Sequence, residues 1–282
     1  MQNSKKFALV AKQNNQLEKN YKILVEILSK YDVEILAEKS LSDRLGIVGY
    51  ELKDLAKKCE LIISLGGDGT LISTCRKIAQ YNVAVLGIHA GTLGFLTDVA
   101  MSGIEKFFID YFNGVYNIHE PYMLDILLEK QNGEILKKIA FNDAVIMRAK
   151  PASMAKIQAY LNDKIFNSYY GDGVIVSSPV GSTAYNMSAG GSIIYPLSSV
   201  FTLTPICSHS FSQRPIILPF GFSVEFRAYM DEVLVIDGQD TFKMANYKSV
   251  RVGLSNHRAK LIRSVSRDYF QILKEKLCWG QE

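Results

Sequence analysis

Leu61-Ile62-Ile63-Ser64-Leu65-Gly66-Gly67-Asp68-Gly69-Thr70 decides the fold of this chain. The first five residues are too apolar for exposure on either face, and they run into a glycine-rich turn followed by a helix-compatible stretch, Leu71 to Gln80. A fully apolar strand that feeds a helix is the repeating piece of a parallel sheet covered on both faces. Phe7 to Val10, Val33 to Leu36 and Val83 to Ile88 read as further short strands. Between the first two of these, Leu17, Tyr21, Leu24, Val25 and Leu28 share one helical face.

The pattern changes from about Pro121. Met123 to Leu128, Lys156 to Leu161, Val224 to Tyr229, Val233 to Ile236 and Val250 to Leu254 read as strands, separated by turn pairs such as Asn132-Gly133 and Asn162-Asp163. Asp268 to Leu277 returns to a helical pattern. The expected fold class is α/β, with an N-terminal α/β parallel-sheet domain over 1–100 and a C-terminal β-rich domain over 101–266. The terminal helical segment, 267–282, is expected to pack back on the first domain.

Composition narrows the function. The chain has 282 residues, 48% apolar and 21% charged, enough to bury a full core. Its 32 Lys and Arg against 28 Asp and Glu leave a net charge of +4 with no basic run, so a nucleic-acid partner is not expected. The four cysteines (Cys59, Cys75, Cys207, Cys278) are scattered, which reads as reduced thiols in a cytoplasmic protein. The start of the chain is too short in apolar residues for a signal-peptide core. The 20 uncharged residues from Ile78 to Thr97 include Gln80, Asn82, His89 and three glycines, a poor choice for a membrane span. No membrane partner is expected.

Between Asp172 and Arg214 lie 41 residues without a single Asp, Glu, Lys or Arg, ten of them Ser. Such a run belongs in a core, an interface or a cleft. A central strand pair accounts for half of it, and a pocket wall of backbone and small hydroxyls suits the remainder. The segment is expected to be buried mostly at the cleft between the domains and at a contact with a second subunit.

Three polar motifs carry chemistry. Gly66 to Thr70 sits at a strand-to-helix turn, where glycines let the backbone approach a ligand and a helix N-terminus favours phosphate. It matches neither G-x-x-x-x-G-K-[ST] nor G-x-G-x-x-G. Asp68 among the glycines would repel an anion, so it either takes a hydroxyl proton, holds a metal shared with phosphates, or caps the helix. Asn142-Asp143, ahead of an apolar strand, either clamps vicinal hydroxyls such as those of a ribose or makes an ordinary turn. Gly171-Asp172-Gly173 leads into Gly181-Ser182-Thr183-Ala184-Tyr185-Asn186-Met187-Ser188. That block supplies hydroxyls at Thr183 and Ser188, an amide at Asn186 and a ring at Tyr185 for a planar base, with a helix cap at Ser182 as the competing reading.

Taken together, residues 66–70, 142–143 and 172–191, with a later Asp237-Gly238-Gln239, resemble the NAD kinase family in order and separation. The resemblance implies ATP-dependent transfer of phosphate to the 2′-hydroxyl of the adenosine ribose of NAD, giving NADP. It implies ATP as donor, a divalent cation such as Mg²⁺, and a homodimer or homotetramer in which a neighbour completes each NAD site. Asp68 would accept the proton and, with Gly69, contact NAD. Asn142, Asp143, Asp172 and the run Thr183, Ala184, Tyr185, Asn186, Met187 and Ser188 would line the dinucleotide site, with Ser153, Tyr170 and Gln239 at positions the family also uses. No residue is assigned as a metal ligand. Asp143 stands where Glu is commoner in that family, Ser73 where many members carry a basic residue, and Tyr170 where some carry Arg. Two alternatives share parts of the pattern: a lipid or sugar kinase with the GGDGT turn, and a non-catalytic NAD-binding sensor.

Overall fold

The computed structural model describes residues 4–91, 93–97, 99–228 and 231–280. Tyr229, the end of one expected strand, lies outside them. The chain forms two compact units, residues 1–120 with 259–282, and residues 121–258.

In chain order the strands of the first unit before the crossover are β1 (Lys5–Ala11), β2 (Val33–Glu38), β3 (Gly49–Tyr50), β4 (Leu61–Leu65), β5 (Ala84–His89), β6 (Val99–Ala100) and β7 (Asn117–His119). Those of the second unit are β8 (Tyr122–Lys130), β9 (Ile135–Ala140), β10 (Asp143–Arg148), β11 (Ala155–Leu161), β12 (Lys164–Gly171), β13 (Gly173–Ser177), β14 (Val200–Ile206), β15 (Ile216–Pro219), β16 (Ser223–Ala228), β17 (Glu232–Ile236), β18 (Asp240–Lys243) and β19 (Tyr247–Arg258). The chain then returns to the first unit as β20 (Leu261–Arg263).

The first unit is a parallel sheet in the order β3-β2-β1-β4-β5-β20-β7, with β6 beside β5 and β7 antiparallel to β20. Every residue of β4 and β5 is buried, as strands covered on both faces require. Helix α1 (Leu17–Ser29) lays Leu17, Leu24, Ile27 and Leu28 into a core shared with Phe7, Leu9, Leu61, Ile63, Leu86 and Ile88. Short helices α2 (Ser42–Leu45) and α3 (Leu52–Lys58) follow, and α4 (Asp68–Lys77) starts directly after the glycine turn. It starts three residues before the expected helix because Gly67, in extended conformation, already turns the backbone out of the strand. Helix α5 (Ile104–Phe112), with no counterpart in the sequence reading, buries Ile104, Phe107 and Phe108 in the same core. β20 runs parallel to β5, Leu261 opposite Val85, and is followed by two terminal turns of helix.

The second unit is a sandwich of two antiparallel sheets, β15-β14-β13-β10-β17-β18 and β12-β11-β16-β19-β8-β9. Alternate residues from both sheets, among them Ile126, Ile146, Ile157, Val176, Phe201, Phe226, Leu234 and Val252, form one core. The opposite face of the first of these sheets carries a small apolar patch of Val145, Ile175 and Ile206, against which Ala189 packs. That patch seats the short helix α6 (Tyr185–Ser188) and its flanking turns.

The charge-free segment divides along this architecture. β13 and most of β14 are buried in the middle of a sheet, whereas 207–213 is largely exposed, with Phe211 at 97%. Three of its ten serines are internal and not part of a pocket wall: Ser177, Ser178 and Ser182 are fully buried and bonded internally, whereas Ser188 and Ser192 are exposed. Among the described residues no helix is long and apolar enough to cross a membrane, and the four cysteines are free thiols.

Candidate active site

In the first unit Asp68 opens α4, but its side chain does not cap that helix. Its carboxylate reaches across to the segment Phe95-Leu96-Thr97. Oδ2 accepts the Phe95 amide at 2.8 Å. Oδ1 accepts the Leu96 amide at 3.1 Å, the Thr97 amide at 3.0 Å and the Thr97 hydroxyl at 3.1 Å. Three donors saturate Oδ1, while Oδ2, with one, retains an acceptor position. Close approach is possible because residue 94 is glycine: a Cβ there would lie 2.0 Å from Asp68 Oδ1. Gly69, the second residue of α4, is exposed beside it.

The second unit uses the same device. The Asp237 carboxylate collects the amides of Phe141 at 2.7 Å, Asn142 at 2.7 Å and Asp143 at 2.9 Å, and the Asp237 amide donates back to the Asp143 carbonyl. Asp237 adopts the left-handed conformation (φ 49°) that a three-residue turn between β17 and β18 demands. From the other side Ser178 holds the Phe141 carbonyl through its hydroxyl and the Asn142 carbonyl through its amide. The Asn142–Asp143 turn is thus gripped by its own backbone, which leaves both side chains for other work. Asn142 Oδ1 is buried and has no hydrogen-bond partner among the described residues. Asp143 is 6% exposed, and burial first, with the Asp237 charge second, pushes its carboxyl up to about 7.

The other candidate residues sort by what their side chains do. Asp172 is held by Arg148, with Nε 2.8 Å from Oδ1 and Nη2 3.3 Å from Oδ2, a two-pronged grip that aims the carboxylate. The half-exposed Tyr185 ring lies close enough to Cys207, Asp172 and Asp143 for their charges to add to burial in raising its phenol. Tyr185, Asp172 and Asp143 therefore form one neighbourhood, and Gln239, exposed on the β17–β18 turn, flanks Asp237. Ala184 supplies the irregular backbone (φ −95°, ψ −133°) that starts α6, and Ser188 is exposed at its end. Thr183 and Met187 are half-buried, and the Thr183 hydroxyl donates to the Val180 carbonyl at 3.4 Å. Tyr170 is 45% exposed on β12. Ser153 sits apart on an exposed loop, its hydroxyl bonded to the Lys150 carbonyl.

Two readings change. Asn186 does not offer its side-chain amide to a ligand. It is fully buried, donates to the Ser182 and Ser192 carbonyls and accepts from the Thr204 hydroxyl at 2.6 Å, so it is the post on which the 182–192 turn is built. Ser182 is no helix cap either: its hydroxyl ties Pro179 and Ile194 together. The sequence singled out neither the 93–97 loop nor Arg148, and it gave Asp237 only as part of a turn that resembles the family's, with no role. A glycine in an uncharged stretch, an Asp-Gly turn and a charge ending an apolar strand were their only traces.

Each unit thus holds a rigid backbone turn that presents acidic or amide groups, the equipment of a phosphotransferase working on a hydroxylated, charged substrate. Residues 7–116 match the family model of the ATP-NAD kinase N-terminal domain, and 141–264 that of the ATP-NAD kinase C-terminal domain. An NAD kinase of Campylobacter jejuni (strain RM1221) is 53% identical over 278 residues, 99% of this chain and 97% of the relative. The NAD kinase of Sulfurimonas denitrificans is 43% identical, covering 94% of each. In fold, the chain is similar to yeast NADH kinase complexed with NADH (TM-score 0.90, 22% identity, 100% of this chain and 90% of that one). It is also similar to an NAD kinase from Archaeoglobus fulgidus in complex with ATP (TM-score 0.79, 22% identity, 97% and 98%). The chain belongs to the NAD kinase family. The lipid or sugar kinase and the non-catalytic sensor find no support in these matches.

Proposed function

We infer that Asp68 is the group that takes the hydroxyl proton when this enzyme uses ATP to phosphorylate the 2′-hydroxyl of the adenosine ribose of NAD, giving NADP. The observation that carries this is the carboxylate locked by four donors at a glycine turn, with one acceptor position of Oδ2 left over. In the reaction the 2′-oxygen bonds to the γ-phosphorus of ATP as the γ-phosphorus leaves its bridging oxygen, and ADP departs. Such a transfer asks the protein chiefly for alignment, charge neutralisation and a placed proton acceptor. A rigid acceptor serves that better than a mobile one.

Asn142 and Asp143 hold hydroxyls of the dinucleotide. The buried Asn142 Oδ1 supports this, since an unpaired acceptor costs stability until a donor arrives. Asp172, aimed by Arg148, and Tyr185 add a carboxylate and a ring, and the 182–188 turn adds backbone groups around Thr183. Gly69, Ser153, Tyr170 and Gln239 complete the set of contacts. Among the described residues no three acidic, His or Cys side chains gather as a metal cage. A divalent cation such as Mg²⁺, which the family resemblance implies, would neutralise charge on the transferring group. The protein works in the cytoplasm as a homodimer or homotetramer, the exposed thiols of Cys207 and Cys278 being suited to a reducing compartment.

Asp68→Asn is the direct test. It keeps size and the bonds to Oδ1 but loses basicity and the bond from the Phe95 amide to Oδ2, so NADP formation in a coupled assay falls by at least roughly 10²–10⁴, the usual contribution of a placed base. NAD binding measured by calorimetry changes far less. Undiminished turnover refutes the assignment.

A further inference from the structure

The loop that orients Asp68 is itself held from its other edge. Arg263, on β20, donates to the Leu96 carbonyl, and Arg267, four residues on, donates to the Phe95 carbonyl. Asp68 takes the amides of residues 95, 96 and 97, so one short backbone segment is gripped through its amides by a carboxylate and through its carbonyls by two guanidiniums. Both sets of bonds are charge-assisted, and a guanidinium's fixed fork of donors makes them directional. Arg263 is only 4% exposed, and Leu96 and Thr97 are buried, so that half of the grip is sheltered from water, while Arg267 and Phe95 are half-buried.

We propose that Arg263 and Arg267 are positioning residues for the reaction: through the 95–97 backbone they set the direction of the Asp68 carboxylate. The proposal rests on Asp68 being the proton acceptor. Its physical content is a relay of three links, from the segment after the β-sandwich, to the loop, to the carboxylate. β20 pairs with β5 through Leu261 and Ile262, and the next residue, Arg263, reaches the Leu96 carbonyl. Arg267 also lines a cavity of about 180 Å³ with Leu93, Ser264, Ser266, Asp268 and Gln271. A truncated Arg267 would leave that cavity open to a small planar cation.

The test uses the full chain with Arg267→Ala and Arg263→Lys. In Arg267→Ala, kcat falls about 10–100-fold, the penalty of misplacing a reacting group by an ångström or so, while KM for NAD and for ATP stays within about threefold. Hydrogen exchange of the Phe95, Leu96 and Thr97 amides accelerates, and that of the β4 amides does not. Free guanidinium restores kcat at least several-fold, and tetramethylammonium at equal ionic strength does not. Arg263→Lys keeps the charge and much of the stem, so it reports on the directed bonds where a truncation at this buried position would disturb the core; the same exchange pattern is expected. The proposal is overturned if kcat stays within about twofold of the parent, if kcat falls without faster exchange at 95–97, or if β4 loosens equally in both variants. Asp68→Asn measured in parallel separates the two readings: full activity there removes the base, whereas the exchange result speaks to the relay alone.

Discussion

Asp143→Asn isolates one buried charge. The native carboxyl titrates at about 7, against a value of 3.8 for the free group. Between those values the unfolded chain has released a proton that the native state still holds. Unfolding therefore releases a proton, and stability falls as pH rises. The loss starts near pH 4, grows to about pH 7 and is level above it. A gap of about 3 between the two values, at roughly 1.4 kcal/mol each, sets a ceiling of about 4 kcal/mol. Relaxation around a side chain that is 6% exposed lowers this to about 2–4 kcal/mol. Asn at 143 has no such proton, and any packing offset it brings is the same at every pH. Urea unfolding of both proteins followed by circular dichroism, at steps from pH 4.5 to 8, gives the difference directly. The variant gains on the parent by the stated amount across that window. A difference that stays flat refutes the buried, like-charged environment assigned to Asp143.

Other outcomes follow from the same geometry. Asn142→Ala weakens NAD binding by about 1–3 kcal/mol in calorimetry, through the hydroxyl left without its acceptor; unchanged affinity in a folded protein makes the turn purely structural. Gly94→Ala forces a methyl to within 2.0 Å of Asp68 Oδ1 and 2.6 Å of Thr97 Oγ1, so turnover falls at least tenfold and stability by about 1–3 kcal/mol. Turnover equal to the parent's shows that the loop moves freely. If a neighbouring subunit completes each NAD site, Asp68→Asn and Tyr170→Ala subunits mixed under conditions of verified exchange recover activity beyond the sum of the two. A mixture with no gain, or a protein that sediments as a monomer at assay concentration, argues for a site within one chain.

Much of this was legible in order along the chain. The apolar run of β4 reads as a strand covered on both faces because nothing polar in it could face water, and the structure buries all five of its residues. Helix α1 was legible from its 3.6-residue spacing, and the hairpin strands from alternation and Asn-Gly or Asn-Asp turns. The 66–70, 142–143 and 172–191 motifs named the family. Helix α5 carries the same signal, with Ile104, Phe107, Phe108, Tyr111 and Phe112 at helical spacings of 3, 1, 3 and 1, although it was not read from the sequence.

The sequence by itself determined the local grammar: which runs are apolar, where glycines allow a turn, and which acidic and amide groups stand at turn positions. These depend on neighbours within a few residues, where spacing alone settles which atoms meet. The tertiary structure decided what each polar group is for. Asp68 and Asp237 look alike on paper, and both turn out to be collectors of backbone amides, the one 27 to 29 residues away and the other 94 to 96. Asn186 sits within the most recognisable block and is an internal post, because Thr204 and two carbonyls claim its amide. Arg263 and Arg267 reach the loop beside Asp68 across 167 and 172 residues. Hydrogen-bond partners at such separations are set by how strands stack and where a chain crosses back, and no spacing in the sequence encodes that.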